Sequence, residues 1–169
     1  MHYSRIIALL GAVLGVVGLF MPGLNTDGEA VMPALNAANP AVPDGVPTIW
    51  GGLDTWAQVV VVIILVAIAV FALRPPLKDP EDNIGAGITT LAGVAFLIYA
   101  VIKLLETNDD ATALKGAFAQ AAEAGAIPAA FDVSSGYGFY VIIIGAGLVA
   151  IGGVLSLIAA NKKTNTAAA

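Results

Sequence analysis

The chain has 169 residues, 59% of them hydrophobic and 11% charged, with a net charge of −5 and a mean hydropathy of +0.90. Soluble domains carry about a quarter charged residues, so this composition belongs in a bilayer, and with no basic block there is no footprint for nucleic acid. The absence of cysteine excludes disulfides, thiolate metal sites, iron–sulfur clusters and cysteine nucleophiles, and a single histidine, His2, cannot supply a bis-histidine haem site.

About 20 apolar residues are needed to cross the hydrocarbon, and four segments approach that length. The first runs from Ile6 to Met21, between Arg5 and Pro22. Its basic start and apolar core also suit a signal peptide, but no small-x-small cleavage site follows promptly, so it is read as a retained span. It carries Gly11, Gly15 and Gly18 along one face. Helices in lipid associate through small residues because apolar burial gives them no drive, so this stripe predicts close packing.

Residues 22–54 form the first long connection and hold five of the nine prolines. Proline restricts itself and the residue before it, which predicts an extended, turn-rich stretch. Its apolar residues, from Val31 and Met32 to Val46 and Ile49, imply that it lies against something.

The second span, 55–73, is dominated by Val, Ile and Leu, has no glycine and stops at Arg74-Pro75-Pro76. It is the span expected to face lipid or to dock on another protein. Trp50 and Trp56 mark its outer mouth, where indoles favour the headgroup layer, and Asp54 is positioned to cap it.

The third span, 84–105, carries Gly85, Thr89 and Gly93 at steps of four. Lys103 near its end is expected to snorkel outward and pair with Glu106. The connection 106–136 then offers Asn108, Asp109 and Asp110 as caps, a face of Leu114, Phe118, Ala121 and Ala122, and a stop at Gly125 and Pro128. A short amphipathic helix fits this pattern. Ser134-Ser135 is expected to cap the fourth span, 137–160, which carries Gly145, Ala146, Ala150 and Gly152 as packing residues and Tyr137, Phe139 and Tyr140 at its outer mouth.

Five of the seven basic residues (Arg5, Arg74, Lys78, Lys162 and Lys163) fall on one side of such a layout, while nine of the twelve acids fall in the two long connections. The positive-inside rule then places both termini in the cytoplasm. No Asn-x-Ser/Thr sequon occurs, which fits a bacterial inner membrane.

The expected fold is therefore an all-α, four-transmembrane-helix bundle in a single domain, residues 1–169, with two long outer loops. The "WGGLDTW" of residues 50–56 in a long first outer loop resembles the claudin-type tetraspan layout. That family's loop cysteines are missing, so the likeness is one of layout and assigns no family.

Ionisable groups in mid-span are the usual mark of transport or proton relay, and none stands in the middle of these spans. The function expected is a non-catalytic accessory or scaffolding subunit of a larger membrane complex, respiratory or photosynthetic for example. The contact residues expected are Trp50, Asp54, Trp56, Lys103, Phe118, Tyr137 and Tyr140. Partners would be other integral membrane subunits and lipids, with no catalytic residues, no metal and no cofactor beyond structural lipids. The alternative is a small homo-oligomeric channel or transporter, its pore lined by residues such as Thr89 and Gly93 between copies.

Overall fold

A computed structural model describes residues 1–40 and 42–167; Lys163, counted above as an inner-side charge, has its side chain outside the described set. The chain is mostly helical. Three helices are long and apolar enough to cross a membrane: α3 (Thr55–Leu73), α4 (Asn83–Glu123) and α5 (Gly138–Ala167), the last through its apolar part Gly138–Lys162. A shorter apolar helix, α1 (Tyr3–Leu19), has 17 residues.

The bundle is built on α5. Its glycines let α1 approach backbone to backbone: a Cβ on Gly11 would collide with the Gly145 carbonyl oxygen, one on Gly18 would lie 2.8 Å from the Gly138 carbonyl oxygen, and one on Gly152 would lie 2.7 Å from the Ala8 nitrogen. The other flank of α5 takes α4, with a Gly93 Cβ placed 2.5 Å from the Ala150 nitrogen. Ala146 is fully buried between these contacts, and Gly15 receives the ring of Phe96. The bulky α3 touches α1 and α4 more sparsely and leaves Val59, Ile63, Val66 and Val70 exposed along one face.

Three features depart from the expected form of the two outer loops. First, the outer connection contains no separate amphipathic helix. Instead α4 runs unbroken for 41 residues, about 60 Å at 1.5 Å per residue, twice the hydrocarbon thickness. Asn108, Asp109 and Asp110 lie within it instead of capping a new helix. Neither glycine nor proline interrupts residues 94–115, so the polar run marks where the helix leaves lipid without ending it. It ends where Gly125 adopts φ +70 and Ala126 N–H donates to the Ala121 carbonyl, the Schellman closure that a left-handed glycine permits.

Second, Leu24–Thr26 (β1) and Val133–Ser135 (β2) form a two-stranded antiparallel ribbon in which Leu24 faces Ser135 and Thr26 faces Val133. Ser134 and Ser135 are thus strand residues and cap nothing. Third, the first connection is not wholly extended. A 3-10 turn (Glu29–Val31) leads into α2 (Met32–Ala38), with Pro33 in the first turn, the part of a helix that tolerates proline because its N–H would be unbonded anyway.

These pieces make a cap around the projecting half of α4. Met32, Val42, Leu114, Phe118 and Ile127 form its apolar core, and Phe131 stands edge-on to Phe118 at 5.6 Å. A second core, including Leu19, Ile49, Val61, Phe96, Phe139 and Ile142, lies between the helices below it.

Substituting Gly11→Leu must push α1 off α5, and overpacking of this kind costs about 2–3 kcal/mol. Gly147, whose Cβ would meet open space, is the control: Gly147→Leu is expected to stay within about 0.5 kcal/mol of wild type. Unfolding of both variants in mild detergent measures the difference.

Candidate functional site

The end of the bundle holding residues 74–82 collects the buried polar side chains. Arg5, on the first turn of α1, is 3% exposed and donates to five backbone carbonyls. Its Nε reaches Asp79 at 2.9 Å and Nη2 reaches Pro80 at 3.1 Å, while Nη1 serves Phe71 at 3.3 Å, Ala72 at 3.1 Å and Arg74 at 2.6 Å. Phe71 and Ala72 belong to the last turn of α3, whose carbonyls lack the usual donor one turn ahead, though Phe71 also accepts the Arg74 N–H. A guanidinium there satisfies them and meets the negative end of the helix dipole.

Beside it, Glu81 is buried and accepts the Thr89 hydroxyl on Oε2 at 2.8 Å. Burial pushes the Glu81 carboxyl above the usual carboxylate range, and nearby Asp82 adds to the rise, against the Thr89 hydrogen bond and the Arg5 charge, which hold it down. Asp82 caps α4 by accepting Gly85 N–H at 2.7 Å and faces the exposed Arg74 at 3.6 Å. A cleft of about 690 Å3 opens among these residues.

Next to Arg5 in α1, Ser4 shares a hydrogen bond with Ser156 at 2.7 Å, and His2 Nδ1 meets the Ser4 hydroxyl at 2.7 Å. Ser4 and Ser156 are fully buried, so this chain of hydroxyls ties α1 to α5. Among the described residues, no three or more histidine and acidic side chains converge in a metal-binding group.

The other end carries the cap. Two lysines stand there against nine acids. Lys103 pairs with Glu106 at 2.6 Å and Lys115 with Asp132 at 2.5 Å. Gln58 ties the mouth of α3 to the first connection by donating to the Trp50 carbonyl at 3.1 Å and the Leu53 carbonyl at 3.3 Å.

The residues singled out in the sequence fall into distinct places. Gly11, Gly15, Gly18, Gly145 and Gly152 lie on the α1–α5 contact, and Gly93 and Ala150 on the α4–α5 contact. Gly85 sits beside Asp82 and Phe71, and Thr89 is buried against Glu81. Thr89 and Gly93 therefore face neighbours within the chain, away from any surface that a second copy could share. Trp56 at 62%, Tyr137 at 70% and Tyr140 at 51% exposure ring the outer mouth, while Trp50 is half-buried 6.2 Å from Phe20.

Three of these residues need correcting. Asp54 holds the N-cap position of α3 but makes no side-chain cap bond, its carboxylate staying exposed. Phe118 is fully buried, because the continuous α4 turns it into the cap core instead of out to a partner. Phe139, grouped with the outer aromatics, is buried too.

Sequence reading passed over Arg5, Glu81, Ser4 and Ser156. A signal for Ser4 existed: the buried positions of α1 step 4, 8, 11, 15 and 18, so carrying the glycine stripe back two turns reaches Ser4, beside Arg5. For Glu81 there was none, since "PED" reads as a solvated turn.

No protein-family model matches this sequence, and no curated protein matches it.

Arg5→Leu would remove a donor from one buried and four half-buried carbonyls, and an unsatisfied buried acceptor costs about 1–3 kcal/mol. A loss of at least about 3 kcal/mol in detergent unfolding is expected, with Arg5→Lys recovering only part because an ammonium lacks the guanidinium fork.

Proposed function

We propose that this chain is a four-span membrane protein serving as a non-catalytic accessory or scaffolding subunit of a larger assembly in a bacterial inner membrane. The observation that carries the reading is where its polar equipment goes. Arg5 is bound to backbone carbonyls, Ser4 to Ser156 and Glu81 to Thr89, and the glycines are taken up between helices. What remains for other integral subunits includes the apolar outer faces of the helices, that of α3 among them, and an acidic, aromatic-rimmed cap.

A fourth crossing is supported by register. α1 follows α5 from the Ser4–Ser156 bond at one end to the Gly18–Gly138 contact at the other. A helix lying along a membrane-length neighbour for its whole length shares that neighbour's depth. Its 17 residues span about 26 Å, close to the hydrocarbon thickness. Arg74 and Lys78 near Arg5, with Lys162 at the end of the apolar part of α5, support a cytoplasmic location for that end under the positive-inside rule.

The α3 face, on the long helix that packs most sparsely within the chain, is the surface we assign to other integral subunits. It has the bulky, β-branched side chains that neither α1 nor α4 covers.

Extraction in mild detergent is expected to recover the protein at a mass well above 17 kDa, with unlike chains present. Alanine at the exposed Ile63, Val66 and Val70 is expected to release those chains while leaving helicity unchanged. Recovery of wild type as a lone stable monomer would contradict the reading.

A further inference from the structure

The cleft beside Arg5 is lined by Glu81, one of whose carboxylate oxygens has no hydrogen-bond partner among the described residues. Glu81 is 2% exposed; Oε2 takes the Thr89 hydroxyl, and Oε1 is buried with no hydrogen-bond partner. Arg5, the nearest strong donor, is committed to carbonyls. Buried polar atoms are nearly always paired, so Oε1, unmatched among the described residues, calls for a further donor. The cleft that Glu81 lines is the way in, and its lining joins apolar Phe71, Pro75 and Pro76 to the acids Asp79 and Asp82.

The chemistry of the missing donor follows. An unmatched carboxylate oxygen favours a cation. A bare metal ion is poorly served, because no group of three or more acidic or histidine ligands converges among the described residues. An ammonium suits the cleft better, since it brings its own N–H donors. The cleft lies where α3 ends at Leu73 and α4 begins at Asn83, the level at which a span gives way to headgroups. Arg74, 63% exposed at the rim, can meet a phosphate, and a guanidinium has donors enough to keep Asp82 as well.

We propose that this cleft seats the headgroup of an amine-bearing phospholipid, its ammonium donating to Glu81 Oε1 and its phosphate meeting Arg74. The burial that disfavours ionised Glu81 also makes an incoming cation its natural counter-charge. The inference needs only the membrane setting, so failure to find partner subunits would leave it standing.

The test uses the purified, delipidated full chain in micelles. Binding of phosphatidylethanolamine, its mono- and dimethyl derivatives, phosphatidylcholine and phosphatidylglycerol is followed by native mass spectrometry. Phosphatidylethanolamine is expected to bind about tenfold more tightly than phosphatidylcholine, the value of one charge-assisted hydrogen bond. The drop should come at trimethylation, where the last N–H is lost. Glu81→Gln should bring phosphatidylethanolamine down to the phosphatidylcholine level.

Equal binding of phosphatidylethanolamine and phosphatidylcholine by wild type would overturn the proposal without reference to any variant. So would an undiminished preference in a folded Glu81→Gln protein. Free phosphoethanolamine competing as strongly as the lipid would overturn the membrane source and assign the cleft to a soluble amine.

Discussion

α1 and α5 meet backbone to backbone, and the position of every other element follows from that contact. In hydrocarbon no apolar burial is gained by pressing helices together, so approach distance decides packing. Gly11 against Gly145, Gly18 against Gly138 and Gly152 against Ala8 bring the pair as close as main chains allow. α4 then closes on the opposite flank of α5 through Gly93 and Ala150, and α3, which has no glycine to offer, remains at the edge.

The two ends of this core are finished by different means. At one, a single guanidinium gathers the last carbonyls of α3 and those of the connection that follows. Proline fills that connection and supplies no N–H, so few local groups could do the same. At the other, α4 climbs out of the apolar layer and the two long connections wrap it, joined by β1 and β2 and sealed by Phe118 and Phe131. A Gly136 Cβ would strike the Pro22 carbonyl, so the ribbon, too, depends on a missing side chain. The close-packed interior leaves the exposed faces and the cleft beside Arg5 as the places where other molecules can meet this chain.

Much of this was legible in the residues. Hydropathy located the membrane-length helices, small-residue spacing marked the contacting faces, and Gly125 with Pro128 marked the end of α4. The polar run at 108–110 misled because water-loving residues end a span and a helix by different physics: leaving lipid needs only polarity, whereas ending a helix needs a residue that resists it. Strands of three residues have too few positions to show alternation, so β1 and β2 left no pattern. Arg5 read as a boundary charge because nothing local signals that its partners are carbonyls some 70 residues away. Phe118 was placed on a surface only because its helix was drawn as separate and shallow.

The account depends on α1 crossing the layer beside α5, so that Tyr3 and Leu77 share one side and the far end of α4 stands on the other. The cysteine-free chain permits a direct test: single cysteines at Tyr3, Leu77 and Glu123, labelled with a membrane-impermeant maleimide in sealed vesicles of known orientation. Labelling of Tyr3→Cys and Leu77→Cys from one side and of Glu123→Cys from the opposite side is the predicted result. Tyr3→Cys reacting on the same side as Glu123→Cys would contradict it.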